Sequence, residues 1–202
     1  MEKERKQNKV ILVILLILMI GLSIGFAAFT SKLKIQSSAT VSPDANSFKV
    51  AFSSKANVLE EGNIILGGKA TGGVFEKNAT TLSSLNANFT APGQSATWKF
   101  YAYNAGEYDA FLNKVTLGAI VCTPDGADPE KVLEAAKGIS IKISVGGQTY
   151  NSTTEGISSH SLPKEKGEEV IVTLTYAEES AMVDGRFNVN IGDIILEYNS
   201  AD

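Results

Sequence analysis

Short runs in which apolar and polar side chains alternate are the feature that most limits how this chain can fold. Successive side chains of a β-strand point to opposite faces of a sheet, so a two-residue period predicts strands with one buried and one wet face. The runs recur at intervals of roughly 8 to 12 residues, which is typical of a two-sheet sandwich. Their apolar positions are Phe48, Val50 and Phe52; Trp98, Phe100 and Ala102; Ile139, Ile141, Ile143 and Val145; Val170, Val172, Leu174 and Tyr176; and Phe187, Val189 and Ile191.

A single short helix is predicted between two of these strands. Asp128 is a suitable N-cap residue, Pro129 fits the first helical position, and Gly138 ends the helix. Its apolar side is expected to consist of Val132, Leu133 and Ala136. The predicted fold is therefore all-β, a jelly-roll-like two-sheet β-sandwich with one short helix in a crossover, preceded by an N-terminal signal or transmembrane helix.

The N-terminal segment has the layout of an export signal. A basic tip precedes an uncharged apolar run of 19 residues from Val10 to Ala28. Gly25 and Ala27 occupy the −3 and −1 positions of a signal-peptidase cut before Ala28. Residues 1–27 are either a cleaved signal peptide or a retained single-pass anchor, since the run also reaches the roughly 18 to 20 residues that span a bilayer. Both interpretations place the rest of the chain outside the cytoplasm.

The charge balance excludes some classes of partner. The chain has 18 basic and 22 acidic residues, and without residues 1–27 it has 14 and 20, a net charge of −6. Nucleic-acid binding requires clustered Lys and Arg, so no nucleic-acid partner is expected, and membrane contact is expected only through residues 1–27 if they are retained. Cys122 is the only cysteine, which excludes an internal disulfide, and its apolar neighbourhood predicts a buried, inert thiol.

The sequence offers no recognisable catalytic or metal-binding set. His160 is the only histidine and lies in a Ser-rich loop that is expected to be solvated, so a serine triad is disfavoured. A zinc site normally needs several His or Cys ligands, and this chain has one of each. The adjacent pair Glu168-Glu169 is expected to be solvated, and an acidic cluster around Asp128 is better explained by turn and capping chemistry. We therefore expect no enzyme activity, no cofactor and no metal.

Two segments resemble the TasA/camelysin family of exported Gram-positive proteins. Family members carry a signal peptide that ends in a small-aromatic-Ala-Ala-Phe pattern, and they share a Pro-Gly turn, a strand with alternating aromatics and an Asn-x-Gly turn followed by another strand. Together the two matches cover roughly residues 10–38 and 91–115. The matching residues are Gly25-Phe26-Ala27-Ala28-Phe29, Pro92-Gly93, Trp98 and Phe100, Asn104-Ala105-Gly106, and Ala110-Phe111-Leu112.

The resemblance implies an exported, non-enzymatic subunit of a surface or biofilm-matrix fibre. It implies cleavage after Ala27 by a signal peptidase of the SipW type, and assembly of the chain with itself. Residues 28–41 would form an extended arm that inserts as a donor strand into the next subunit, with Leu33 and Ile35 as anchors, and residues 42–202 would form the sandwich. Camelysin-like proteins have been described as metalloproteases, an activity that this sequence does not support.

Other interpretations of the same residues stay open. The arm could equally pair within its own domain as an ordinary first strand. The alternative function is a membrane-anchored surface domain that binds carbohydrate or another extracellular ligand. Tyr101, Tyr103 and Tyr108 are candidates for such a carbohydrate surface, although tyrosines on the wet face of a strand are usually ordinary strand formers. An exported hydrolase would need activity that depends on His160 or a carboxylate.

Overall fold

The computed structural model describes residues 48–75, 79–157 and 159–200, with fourteen strands and one helix in this part of the chain. The predicted signal or anchor, the arm, the junction residues Gly25, Ala27 and Ala28, and the anchors Leu33 and Ile35 lie outside the described residues. The elements are β1 (Val50–Ser53), β2 (Ile65–Gly68), β3 (Ala70–Val74), β4 (Thr81–Phe89), β5 (Ser95–Asn104), β6 (Ala110–Thr116), β7 (Ile120–Asp125), α1 (Pro129–Ala136), β8 (Ile139–Val145), β9 (Gln148–Tyr150), β10 (Thr154–Glu155), β11 (Ser161–Leu162), β12 (Gly167–Tyr176), β13 (Arg186–Ile191) and β14 (Ile194–Ser200).

The first sheet is built around the two longest strands, β5 and β12, which pair antiparallel. β8 lies on the far side of β12 and β9 follows it, while β1 and β2 pair with successive parts of β5. Every second residue of β5 and β12 is buried over most of their length, as the alternation predicted. Gly146 and Gly147 have φ values of 54° and 89°, which glycine adopts without strain, and they form the tight turn between β8 and β9.

The second sheet contains two long strands that each break at a glycine. β13 and β14 pair along β4 on one side and along β7 and β6 on the other. A Cβ atom on Gly118 would lie 2.2 Å from the carbonyl carbon of Gly192, so the two breaks require close backbone contact. The stretch from Phe111 to Val121 is therefore divided between two strands, β6 and β7, and the chain bends at Gly192 between β13 and β14. β3 pairs with β4 at one edge of this sheet, and the short strands β10 and β11 pair with β6 at the other.

The two sheets enclose one apolar core, which confirms the all-β sandwich. Trp98, Phe100, Phe187 and Leu196 are all at most 1% exposed. β1 departs from the predicted alternation, because all four of its residues are buried. The Phe52 amide donates to the Ala79 carbonyl at 2.8 Å, so the chain that precedes β4 covers this strand.

The predicted helix is confirmed, but its buried side differs. The Asp128 carboxylate accepts from the amides of Glu130 and Lys131, which is the expected N-cap arrangement. Val132 and Ala135 are buried, whereas Leu133 is 74% exposed, so the prediction that it faces the core was wrong. Among the described residues, no helix combines the length and the apolar character needed to cross a bilayer.

Candidate functional site

The Pro-Gly turn joins the two sheets. Pro92 and Gly93 lie between β4 of the second sheet and β5 of the first, and Gly93 has a φ of 81°, which favours glycine. The Gly93 amide donates to the Tyr176 carbonyl at 2.8 Å. The Gln94 side chain accepts from the Thr90 amide at 2.9 Å, which closes the turn. Pro92 and Gly93 thus fix how the chain crosses the sandwich.

The aromatic and asparagine residues of the same segment are buried in the scaffold. Trp98 and Phe100 face the core, and Asn104 is fully buried. The Asn104 amide nitrogen donates to the carbonyls of Tyr108 and Leu162, at 2.9 and 3.0 Å. Its side-chain oxygen accepts from the Gly106 amide at 3.0 Å, so the Asn-x-Gly turn is held from inside. These residues hold the fold together and are not exposed to a ligand.

Three buried polar side chains join the two sheets at one end of the core. His160 is 7% exposed and its Nε2 contacts the Glu168 carboxylate, whose side chain is 10% exposed. The Tyr198 hydroxyl donates to the other oxygen of Glu168 at 2.7 Å. Glu168 belongs to β12 of the first sheet and Tyr198 to β14 of the second. The expectations that His160 and Glu168 are solvated were therefore wrong, because both are enclosed and hydrogen-bonded.

The two neighbouring glutamates of β12, Glu168 and Glu169, lie on opposite faces of the first sheet. The Glu169 side chain is 40% exposed and forms an ion pair with Lys99 on the outer face of the first sheet. Since alternate residues of β12 point to opposite faces, one carboxylate enters the core and its neighbour stays in water. The buried residues of β12, among them Val170, Val172 and Leu174, are two positions apart. Glu168 is the preceding member of this series, so the alternation in the sequence already indicated that its side chain faces the core.

Burial and the nearby Glu168 carboxylate raise the pKa of Tyr198 well above its usual value. The phenol is thus held protonated as a donor to that carboxylate. Ser159 and Ser161, the serines beside His160, are exposed. Within the described ranges, no group of three or more His, Cys, Asp or Glu side chains is placed to hold a metal ion. The cluster is therefore an internal polar link between the sheets.

The stability of the protein should fall more steeply in alkali because of Tyr198. Because the pKa of Tyr198 is higher in the folded than in the unfolded state, the stabilisation that comes from keeping its phenol protonated is complete below about pH 10. This stabilisation is lost as the pH rises towards the folded-state pKa. Tyr198→Phe should remove up to about 1.4 kcal/mol of this loss per pH unit. Urea unfolding between pH 8 and pH 11 measures this dependence. The control Tyr108→Phe, at a residue that is 55% exposed, should follow the wild type; identical pH profiles for all three proteins would contradict the assignment.

The remaining candidates do not form a common site. Tyr103 is buried and not on a wet face as expected, whereas Tyr108 is 55% exposed. Of the acidic residues near the helix, Asp128 caps α1 and Asp125 pairs with Arg186 at 2.6 Å. Cys122 is a free, half-buried thiol, less enclosed than predicted, and burial raises its pKa.

Two open strand edges lie on either side of α1. In the part of the chain that the structure describes, β7 pairs only with β13, and residues Ile139–Lys142 of β8 pair only with β12. β7 leads into α1 and α1 leads into β8, so the helix connects an edge of one sheet to an edge of the other. Such edges present backbone groups that can accept a further strand.

The inward-facing side chains at these edges are incompletely covered. Ile120 and Cys122 of β7 pair with buried residues of β13, yet both are half-buried. Ile139 and Ile141 of β8 are half-buried too, whereas Ile143 in the same strand is fully buried. We call Ile120, Cys122, Ile139 and Ile141 the edge cluster. Covering an apolar face of this kind with further apolar side chains removes it from water, which is favourable.

Comparison with known proteins adds no assignment. No protein-family model matches the chain, and no curated protein is significantly similar to it.

Proposed function

We propose that the chain is an exported structural subunit of a surface or biofilm-matrix fibre, similar to the TasA/camelysin family. The observation that supports this best is the pair of open strand edges with the half-covered edge cluster between the sheets. Addition of a strand to an exposed edge supplies backbone hydrogen bonds, and alternate side chains fill apolar positions. The jelly-roll-like arrangement of the sandwich is part of this proposal.

The arm of residues 28–41 has the composition that such an edge requires. Leu33 and Ile35 are two residues apart, so an extended arm places them on one face, while Lys32, Lys34 and Gln36 lie on the other. In the proposed assembly, Leu33 and Ile35 of one subunit cover the edge cluster of the next. Head-to-tail addition of this kind does not close on itself, so it produces filaments. The SipW-type peptidase would expose the arm by cutting after Ala27.

Substitution of both anchors tests the assembly. Protein that begins at Ala28 should form long, uniform filaments in negative-stain electron microscopy as its concentration rises. Leu33→Asp with Ile35→Asp should abolish the filaments and leave a folded monomer, because two carboxylates would have to be buried. Thr30→Asp with Gln36→Asp adds the same charge on the opposite face of the arm and should leave assembly intact. Filaments in the Leu33/Ile35 variant would refute donor-strand insertion.

The single native cysteine allows the contact to be located. If the arm lies along β7, Ile35→Cys should form a disulfide with Cys122 of another subunit under mild oxidation, visible as a ladder on a non-reducing gel. Lys34→Cys, which an extended arm would place on the other face, should crosslink much less. Equal crosslinking by both variants would contradict this placement. Wild-type particles that stay monodisperse at all concentrations would favour the membrane-anchored binding domain, which retention of residues 1–27 would also support.

A further inference from the structure

The outer face of the second sheet carries four asparagines on two neighbouring strands. Asn88 lies directly opposite Asn188, and Asn86 directly opposite Asn190, in the β4–β13 ladder. Asparagine is depleted in strands because its side chain packs poorly on a pleated surface. Four asparagines in one block therefore provide little for the stability of the sheet and much hydrogen-bonding capacity for its outer surface.

Half of this block is not engaged by other side chains or backbone groups of the described residues. The Asn190 amide nitrogen donates to the Asn86 side-chain oxygen at 2.8 Å, and the Asn86 amide nitrogen donates to the Ser84 carbonyl at 2.9 Å. For Asn88 and Asn188, no side-chain hydrogen bond is found within the described ranges. Each of these two amides offers two donor hydrogens and an acceptor oxygen, which suits the paired hydroxyls of a sugar ring.

A cleft of about 360 Å³ adjoins the asparagines. Its polar lining comes from Lys69 just before β3, Thr71 near the start of β3, Asn88 near the end of β4, Thr90 just after β4, and Arg186 at the start of β13. The backbone N–H of Asn88 donates to the Lys69 carbonyl at 3.2 Å, so the lysine lies beside the asparagines. A volume of this size falls within the range of small-molecule sites, roughly 300 to 1,000 Å³.

The charge of the cleft is opposite to that of the protein. The chain as a whole carries a net charge of −4, yet two cations line this cleft. Arg186 donates through Nε to Asp125 at 2.6 Å, and its guanidinium has further N–H donors. No carboxylate of the described residues lies within ion-pair distance of Lys69. The positive charge available to a ligand therefore comes mainly from Lys69.

We propose that this outer face binds a carboxylated polysaccharide. Lys69, assisted by Arg186, would pair with the carboxylate of a uronic acid unit, while Asn88, Asn188 and Thr90 would hydrogen-bond the ring hydroxyls. A sugar ring offers adjacent hydroxyls that match neighbouring amides, which a chain of phosphates lacks. The site lies on the outer face of the second sheet and does not depend on the edge cluster. It would give the protein a glycan-binding activity beyond self-assembly.

Matched ligands and matched variants test this site. The full 202-residue chain, purified in mild detergent, is titrated calorimetrically with oligogalacturonate and with the same oligosaccharide after methyl esterification. We expect binding of the free acid that weakens as NaCl is added, and at least tenfold weaker binding of the ester. Lys69→Gln and Asn88→Ala should each weaken binding of the acid, Lys69→Gln by about tenfold.

The controls lie away from the cleft. Lys142→Gln removes a lysine from the first sheet, and Asn151→Ala removes an exposed asparagine from a turn; both should leave affinity unchanged. Equal losses in Lys69→Gln and Lys142→Gln, equal affinity for acid and ester, or no binding at all would overturn the proposal. Equally tight binding of inorganic polyphosphate would also overturn it, since charge alone would then suffice. Filament formation is scored separately, so this proposal and the fibre proposal can fail independently.

Discussion

Glu168→Ala is expected to lower the free energy of unfolding by about 1 to 3 kcal/mol for each of the two buried polar groups that lose their partner. The substitution leaves the Tyr198 hydroxyl and the His160 ring nitrogen buried without their shared acceptor. Buried polar groups without partners retain the full cost of leaving water. The carboxylate also links the two sheets, so its loss affects both. Urea unfolding followed by tryptophan fluorescence measures the change.

The neighbouring residue provides the matched control. Glu169→Ala removes the same carboxyl group from the same strand, but there the ion pair with Lys99 is well exposed. Exposed ion pairs contribute little to stability because water screens them, so this variant should unfold close to the wild-type midpoint. If the two alanine variants were equally stable, the buried cluster would have no special role in holding the sheets together.

Trp98→Ala is expected to destabilise the protein by a similar amount, about 3 to 5 kcal/mol. Trp98 is completely buried, and its indole nitrogen donates to the Thr71 carbonyl at 3.4 Å. It connects β5 of the first sheet to β3 of the second, and a Cβ atom on Gly73 would lie 3.2 Å from its ring. Removing the indole therefore leaves a cavity that the rigid strands around it cannot fill.

An exposed aromatic residue serves as the control, because its truncation to alanine removes a ring without leaving a cavity in the core. Tyr108→Ala removes a ring that is 55% exposed, and surface changes of this kind usually cost no more than about 0.5 kcal/mol. Because Trp98 is also the only tryptophan, circular dichroism should follow unfolding in these variants. A loss below about 1 kcal/mol for Trp98→Ala would mean that the two sheets can close over the missing ring.

The alternation of side chains predicted the central strands well because both of their neighbours are strands of the same sheet. In β12 the period was even sufficient to locate Glu168, since the buried series extends back towards that residue. The charge of a carboxylate favours solvent, and this preference led to the wrong prediction although the position in the strand indicated the core. The partners that offset the cost of burial, His160 and Tyr198, come from other elements of the chain, and no local pattern reveals them.

Strand edges and coverings were less predictable. Ala51 and Tyr103 are buried although the alternation assigned Tyr103 to a wet face, because β1 pairs with β5 there and other chain segments cover β1. Leu133 is exposed since the side of α1 that faces the sheets carries Val132 and Ala135 instead. The asparagine block was also missed, because the four residues share one face only after β4 and β13 pair across about a hundred residues of sequence.

The strands at the two ends of the described domain differ in how they would respond to mechanical tension. β1 has four residues and pairs with β5 alone among the described strands, whereas β14 is held between β4 and β6. A pulling force applied through the N-terminal side would thus peel β1 away before it disturbed β14. Each release would lengthen the connection by about 14 Å of extended chain while the remaining sandwich stayed closed. In the proposed fibre, such releases, repeated from subunit to subunit, would act as extensible links under load.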